Sequence, residues 1–287
     1  MALETRQLTA SQFQAPLWLG EYPVARKIIL IHAEQGFGDT LQCARYVPLL
    51  AKMGAKIVLE VQPALRTLFE SLEGVSKLLS RGELLPDFDL HCPIMSLPLA
   101  FKTEVSTIPA DVPYLKVSQE RIEKWRGRVP LGKKLTVAFA WTGSTGNEEN
   151  GLRSIQIEKF TPLFADSDIQ WISIQRDLQP QDSEFLNAHP EIKQFGADIS
   201  DFADNAAIIS QTDLVISVCT SAAHLAGALN RPFWLLSKHS PDFRWLLDRD
   251  DSPWYPSARI FRQPTFGDWD SVMAQVKNAL AGLARAS

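Results

Sequence analysis

The chain has 287 residues, enough for one large or two medium domains that each bury a core of their own. Hydrophobic residues make up 45% and charged residues 22%, and the 15 glycines and 18 prolines are scattered, which excludes a disordered, collagen-like or low-complexity chain. A net charge of −4 and an isoelectric point near 5.8 supply no basic field for a phosphate backbone, so nucleic acid is not expected as a partner.

The longest apolar runs, at 27–33 and 96–101, fall far short of the ~20 residues that span a bilayer. No transmembrane segment is expected. The first twelve residues, MALETRQLTASQ, contain no apolar stretch of the secretory kind, and the expectation is a cytoplasmic protein. Cys43, Cys92 and Cys219 are odd in number and far apart, which fits reduced thiols better than a disulfide framework or a metal pair.

In chain order, Trp18, Gly20 and Pro23 mark an irregular or hairpin lead-in. The aliphatic run 27–33 predicts a strand, 40–53 a helix and 56–61 a second strand, which together make a βαβ unit. Pro63 opens a helix through Leu72, and 88–92 reads as a strand before Pro93. Pro109, Pro113, Pro130 and Gly132 surround a charged stretch, 119–128, that predicts a connection with one helix in it. The alternation then restarts, with strands over 135–141, 170–175, 213–218 and 232–236 and helices over 156–164, 204–210 and 221–229. A long final helix covers 268–284. The organisation this implies is an amino-terminal domain at 1–118, a connection at 119–134 and a carboxy-terminal domain at 135–287, whose last helix is free to pack back on the first domain. Two successive βα series predict two doubly wound, Rossmann-like α/β domains facing across a cleft, with ligands beyond the carboxyl ends of the strands.

The turns after strands therefore matter most. Ala33-Glu34-Gln35-Gly36-Phe37-Gly38-Asp39-Thr40 follows a buried-type strand and opens a helix. It lacks the third glycine of a dinucleotide fingerprint and the lysine of a P-loop. It presents the Asp39 carboxylate beside glycines that let another molecule approach the backbone. Two roles are open for Asp39 on the residues alone: an N-cap, paired with Gln42, or a general base for a hydroxyl within ~3 Å.

In the second half, Trp141-Thr142-Gly143-Ser144-Thr145-Gly146-Asn147 is a small-residue turn followed by Arg153 and Ser154. Arg153 is either a solvated loop residue or a forked donor to phosphate oxygens. The segment 217–228 ends a strand and starts a helix at Thr220 or Ser221, where free amides and the helix dipole suit an anion. His224 shares a face with Thr220 and Ser221, as a packed or capping histidine or as a ligand contact. The DxD pattern occurs four times and no histidine pair has ligand spacing, so no metal site is expected.

Three pieces, 34–40, the loop from Trp141 to Ser154, and 220–226, together resemble glycosyltransferase family 9, the heptosyltransferase-like family, and within it the branch usually fused to tetratricopeptide repeats. No repeat of that period is visible in the chain. The resemblance implies a GT-B fold with an amino-terminal acceptor domain and a carboxy-terminal nucleotide-sugar domain, and an inverting, metal-independent transfer to a glycan, lipid or protein acceptor. It places Asp39 as the catalytic base, with Gln35, Gly36 and Gly38 on the acceptor side. It places Thr142, Gly143, Arg153, Ser154, Gln175, Cys219, Thr220, Ser221 and His224 on the donor side. Where heptosyltransferases carry Asp-Thr, this chain has Cys219-Thr220. The nucleotide sugar is then a co-substrate, no cofactor is expected, and a protein partner is a candidate for acceptor recognition, as is a peripheral place at the inner membrane. Two further readings stay open on the sequence: a catalytically weak nucleotide-sugar-binding module, prompted by Cys219, and a sugar-nucleotide epimerase.

Overall fold

The structure is a computed structural model that describes residues 13–130, 132, 134–143 and 150–284. The chain divides into two compact units, Met1–Lys116 and Val117–Ser287.

The first unit is built on a four-stranded parallel sheet in the order β3-β2-β1-β4. Its elements are β1 (Ile28–His32), α1 (Phe37–Cys43), α2 (Tyr46–Lys52), β2 (Lys56–Val61), α3 (Arg66–Phe69), β3 (Val75–Ser80), β4 (Leu90–Pro93) and α4 (Leu97–Ala100). The central strands IILIH and KIVLEV are apolar almost throughout because parallel strands are covered on both faces. The lead-in is not a hairpin. Leu17 makes a parallel bridge to His91 of β4, and the Trp18 amide donates to the His91 carbonyl at 2.8 Å, while the Trp18 ring is buried.

The single helix expected over 40–53 starts earlier and is broken. Pro48 has no N–H to return to the Ala44 carbonyl, which instead accepts from Val47 at 3.0 Å, and the axis changes between α1 and α2. Arg45 fixes the break: its Nε donates to the Gln42 carbonyl at 2.9 Å, its Nη1 to the Pro109 carbonyl at 2.8 Å, and its guanidinium covers the Tyr114 ring.

The second unit begins with α5 (Gln119–Trp125), followed by β5 (Leu135–Ala140), α6 (Asn150–Arg153), α7 (Thr161–Phe164), β6 (Ile169–Ser173), α8 (Pro180–Ala188), β7 (Lys193–Gln194), α9 (Phe202–Ser210), β8 (Leu214–Val218), α10 (Ser221–Ala228), β9 (Phe233–Ser237), β10 (Ala258–Arg262) and α11 (Trp269–Ala284). Six parallel strands lie in the order β10-β9-β8-β5-β6-β7. One core joins Phe139, Trp141, Phe160, Trp171, Leu236 and the inner face of α11, where Val272, Met273, Val276 and Leu280 recur at helical spacing. The last helix thus belongs to the core of its own unit.

The stretch read as a connection is held on the second unit by a buried carboxylate. Asp204 of α9 is fully buried and accepts from Arg121 Nη1 at 2.9 Å, Lys124 Nζ at 2.8 Å, Trp125 Nε1 at 3.0 Å and the Ser200 amide at 3.0 Å. Arg121 also reaches Asp201 at 3.0 Å. Burial alone would push the Asp204 carboxyl up, but the hydrogen bonds from Lys124, Ser200 and Trp125 outweigh it and hold its pKa well below the usual carboxylate range. Asp204→Ala should therefore lose about 3 kcal/mol at pH 7, read from urea denaturation. In the wild type this contribution is complete above pH ~4 and is lost as the pH falls below it, because the unfolded chain then binds the proton first. The gap between wild type and Asp204→Ala should narrow at pH 3.

Candidate functional site

In the second sheet β5 and β8 are neighbours, and their connections leave in opposite directions, to β6 on one side and to β9 on the other. Ligands in doubly wound sheets bind beyond the carboxyl ends of such a pair of strands. Both turns singled out in the sequence lie there.

The turn after β5 is held by a side chain from β6's end. Gln175 Oε1 accepts from the amides of Trp141 and Thr142 at 3.3 and 3.2 Å. Asn150 then closes the loop on itself. Its Oδ1 accepts from the Gly143 amide at 2.9 Å, and its Nδ2 donates to Thr142 Oγ1 at 3.0 Å, while Thr142 and Ser154 share a hydroxyl contact of 2.7 Å. The absence of a side chain at Gly143 lets Arg153 and Asn150 close in: a Cβ there would stand 2.6 Å from Arg153 Nη2, and the two side chains would have to shift. Residues 144–149, including Ser144, Thr145, Gly146 and Asn147 of the sequence motif, lie outside the described residues. A depression of about 480 Å³ bordered by Trp141, Thr142, Asn150, Ser154 and Gln179 adjoins this loop.

Arg153 joins the two turns, because its Nη1 donates to the Cys219 carbonyl at 2.9 Å. Thr220 is the N-cap of α10 with an extended backbone, but its hydroxyl does not cap. It lies 3.0 Å from Ser217 Oγ, buried beneath the turn. The first amides of α10 are thus left uncapped at the positive end of the helix dipole, with half-buried Ser221 beside them. Cys219 is half-buried, and burial pushes its thiol up, against the opposing hydrogen bond from Trp245, so it stays protonated at neutral pH. His224 is 4% exposed. Its Nδ1 lies 3.0 Å from the Tyr255 hydroxyl and its ring stacks on Trp245, so it is packed below the turn.

The first sheet has the same kind of switch point between β1 and β4. Asp39 is the third residue of α1, not its N-cap, which is Gly36. The carboxylate reaches back so that Oδ2 accepts from the Gly36 amide at 2.9 Å, and it remains half-buried next to exposed Gln35 and Gly36 and half-exposed Gly38. Gln62 of the β2 end props the turn: its Nε2 donates to the Gln35 carbonyl at 2.9 Å and its Oε1 accepts from Thr40 at 3.1 Å. Behind the turn, His32 and His91 face each other at 3.4 Å beneath Phe13. Burial, then His91, then Arg81 lower His32 to about 4, so it is neutral at pH 7.

Sequence reasoning passed over Glu34, which names no motif. It leaves β1 next to Asp39's turn, and its Oε1 accepts from the Met95 amide at 3.1 Å across the switch point, while its Oε2 is buried without a partner. Burial first, and the charge of Asp39 last, raise its pKa above the usual carboxylate value despite the opposing backbone amides. Its register opposite the loop after β4 is set by sheet pairing, so no local pattern announces it. Among the described residues no group of three or more metal-ligating side chains occurs, and no helix is long and apolar enough to cross a membrane.

Two parallel α/β sheets, each with its candidate residues at a switch point, define a GT-B-type protein. Solved structures of that class match the chain over most of its length. The glycosyltransferase family 9 protein from Veillonella parvula aligns with a TM-score of 0.68 at 12% identity, covering 93% of this chain and 99% of its own. The ADP-heptose lipopolysaccharide heptosyltransferase II of E. coli aligns with a TM-score of 0.62 at 15% identity, covering 90% and 98%. Identities this low establish the fold. In sequence, the chain is similar to protein FlbA of Caulobacter vibrioides, 25% identical over 300 aligned positions that cover 96% of this chain and 50% of FlbA, so it spans about half the length of this curated relative. No protein-family model matches the chain.

Burial pushes the Glu34 carboxyl up, so its ionisation costs stability. Glu34→Gln should raise the thermal midpoint at pH 8, and the gain should shrink as the pH falls and vanish near pH ~3, where Glu34 is protonated in folded and unfolded chains alike. Differential scanning calorimetry at the two pH values measures it.

Proposed function

We propose that the chain is a glycosyltransferase that moves a sugar from a nucleotide-sugar donor to an acceptor hydroxyl, as the heptosyltransferases of the same fold act on ADP-heptose by name. The observation that carries this reading is the meeting of Arg153 with the uncapped start of α10 at the switch point of the second sheet. A guanidinium and free helix amides form a cradle for the two phosphates of a nucleoside diphosphate. Thr142 and Ser221 add hydroxyls to it, Gln175, Gly143 and Ser154 shape it, and His224 supports it from below.

Asp39, on the first unit, is the general base. Its carboxylate takes the proton of the acceptor hydroxyl as that oxygen bonds to the anomeric carbon. The bond from that carbon to the diphosphate breaks with its electron pair on the phosphate oxygen, where Arg153 and the α10 amides receive the charge. One displacement inverts the anomeric centre. Inversion, metal independence and a glycan, lipid or protein acceptor are parts of this proposal, as is kinship with the branch fused to tetratricopeptide repeats. Recognition of the acceptor through a protein partner, and activity at the inner face of the membrane, belong to it as well.

The test is turnover of UDP-, GDP-, ADP- and CMP-linked sugars, by hydrolysis or by transfer to a cell extract. Asp39→Asn should lower kcat at least ~100-fold while nucleoside diphosphates still raise the melting temperature. Arg153→Ala should lower kcat by roughly 100- to 1000-fold. Equal turnover in wild type and Asp39→Asn would leave Asp39 as a fastener of α1 and end the mechanism. Conversion of the donor to an isomeric nucleotide sugar, with no nucleoside diphosphate released, would instead identify an epimerase.

A further inference from the structure

Cys219 is gripped at both ends. Its carbonyl takes the Arg153 hydrogen bond at 2.9 Å, and its thiol takes one from the Trp245 indole Nε1 at 3.0 Å. Trp245 comes from neither turn at the switch point. It ends a short 3-10 turn, Phe243–Trp245, in the long connection between β9 and β10. The indole is 1% exposed and lies over His224, with ring centroids 5.4 Å apart and planes at 27°. Tyr255, which bonds His224, presses on α10 so closely that a Cβ at Gly227 would come within 2.3 Å of its ring.

The indole therefore meets the start of α10 at two points a turn apart: with its face on His224 and with its N–H on the residue before the N-cap. A buried indole that only filled space would still need a partner for that N–H. Here the partner is a sulfur, a weak acceptor, in the one residue whose carbonyl also anchors Arg153. The neighbouring Thr220 hydroxyl is engaged with Ser217.

We propose that Trp245 is a positioning residue for the donor diphosphate: by holding the Cys219 thiol it fixes the direction in which the first amides of α10 and the Arg153 guanidinium point. This rests on the donor site proposed above. The effect falls on the phosphates, not on the base of the nucleotide, since the groups it aims are the phosphate donors.

Titration calorimetry with the full chain tests it, using ADP, UDP, GDP and CDP and the matching monophosphates, and carrying forward the pair that the wild type binds best. Trp245→Phe keeps a ring on His224 and removes only the N–H. Its Kd for the diphosphate should rise roughly tenfold, the worth of a well-placed hydrogen bond, while the Kd for the monophosphate moves less than twofold. Cys219→Ala should give the same loss, the double variant should be no worse than either single one, and Cys219→Ser, which restores an acceptor, should recover most of it. If Trp245→Phe does not fold, Cys219→Ala against Cys219→Ser decides. An unchanged preference for diphosphate over monophosphate in the folded variants, or losses that add in the double variant, overturns the inference. A wild type that binds none of the diphosphates overturns the donor site itself, a result distinct from binding with an unmoved preference.

Discussion

Parallel strands that lie side by side but send their chains away to opposite flanks cannot cover the space beyond their own ends. In the second sheet β5 and β8 are such a pair. The polypeptide must turn away from the gap, and the amides and side chains of the two turns are left facing it. Arg153 answers this by crossing to the Cys219 carbonyl, so that a cation sits between a closed small-residue loop and the open end of α10. Gln175 and Asn150 are there to hold the loop that carries it: the first satisfies two backbone amides and the second knits Gly143 to Thr142. Without the strand order these contacts would have no reason to converge.

The first sheet meets the same constraint with opposite chemistry. Its turn offers two carboxyl groups, Glu34 and Asp39. Glu34 ties β1's end to the loop after β4 through the Met95 amide, and Asp39 reaches back to Gly36. One carboxyl is pushed toward its neutral form by burial, and the other lies half-exposed at the helix start. A carboxylate that also fastens its helix is oriented before any substrate arrives, which is the condition for efficient proton transfer.

Strands β1, β2, β4, β5, β6, β8 and β9 were legible in the sequence because they are largely buried and read as short apolar runs. The three it hid, β3, β7 and β10, all lie at sheet edges. β3 is VSKLLS, with serine and lysine on an open face. β7 is two residues long, and β10 carries exposed Arg259, which covers Trp234 and Phe261, and Arg262, which turns inward to donate to the Trp245 carbonyl at 3.1 Å. Helix limits were blurred for a different reason: Pro48, Pro63 and Pro162 sit where short helices and 3-10 turns replace longer ones. The two donor turns and Asp39 were found by their glycine and hydroxyl composition. Trp245 was not, since its bond to Cys219 joins residues 26 apart; for His224 the sequence left a packed histidine and a ligand contact both open, and the stacking on Trp245 is what packs it.

The buried Asp204 has a bearing on how the chain can be dissected. Its partners Arg121, Lys124 and Trp125 all precede the proline at 130, where the composition alone invites a cut. A fragment begun at Leu135 would keep every strand of its sheet yet strand a desolvated anion in α9 with its cations and its indole removed. A carboxy-terminal piece that keeps those partners must retain α5 and its cap Ser118, so α5 is the keel of that unit, not the rope that tows it.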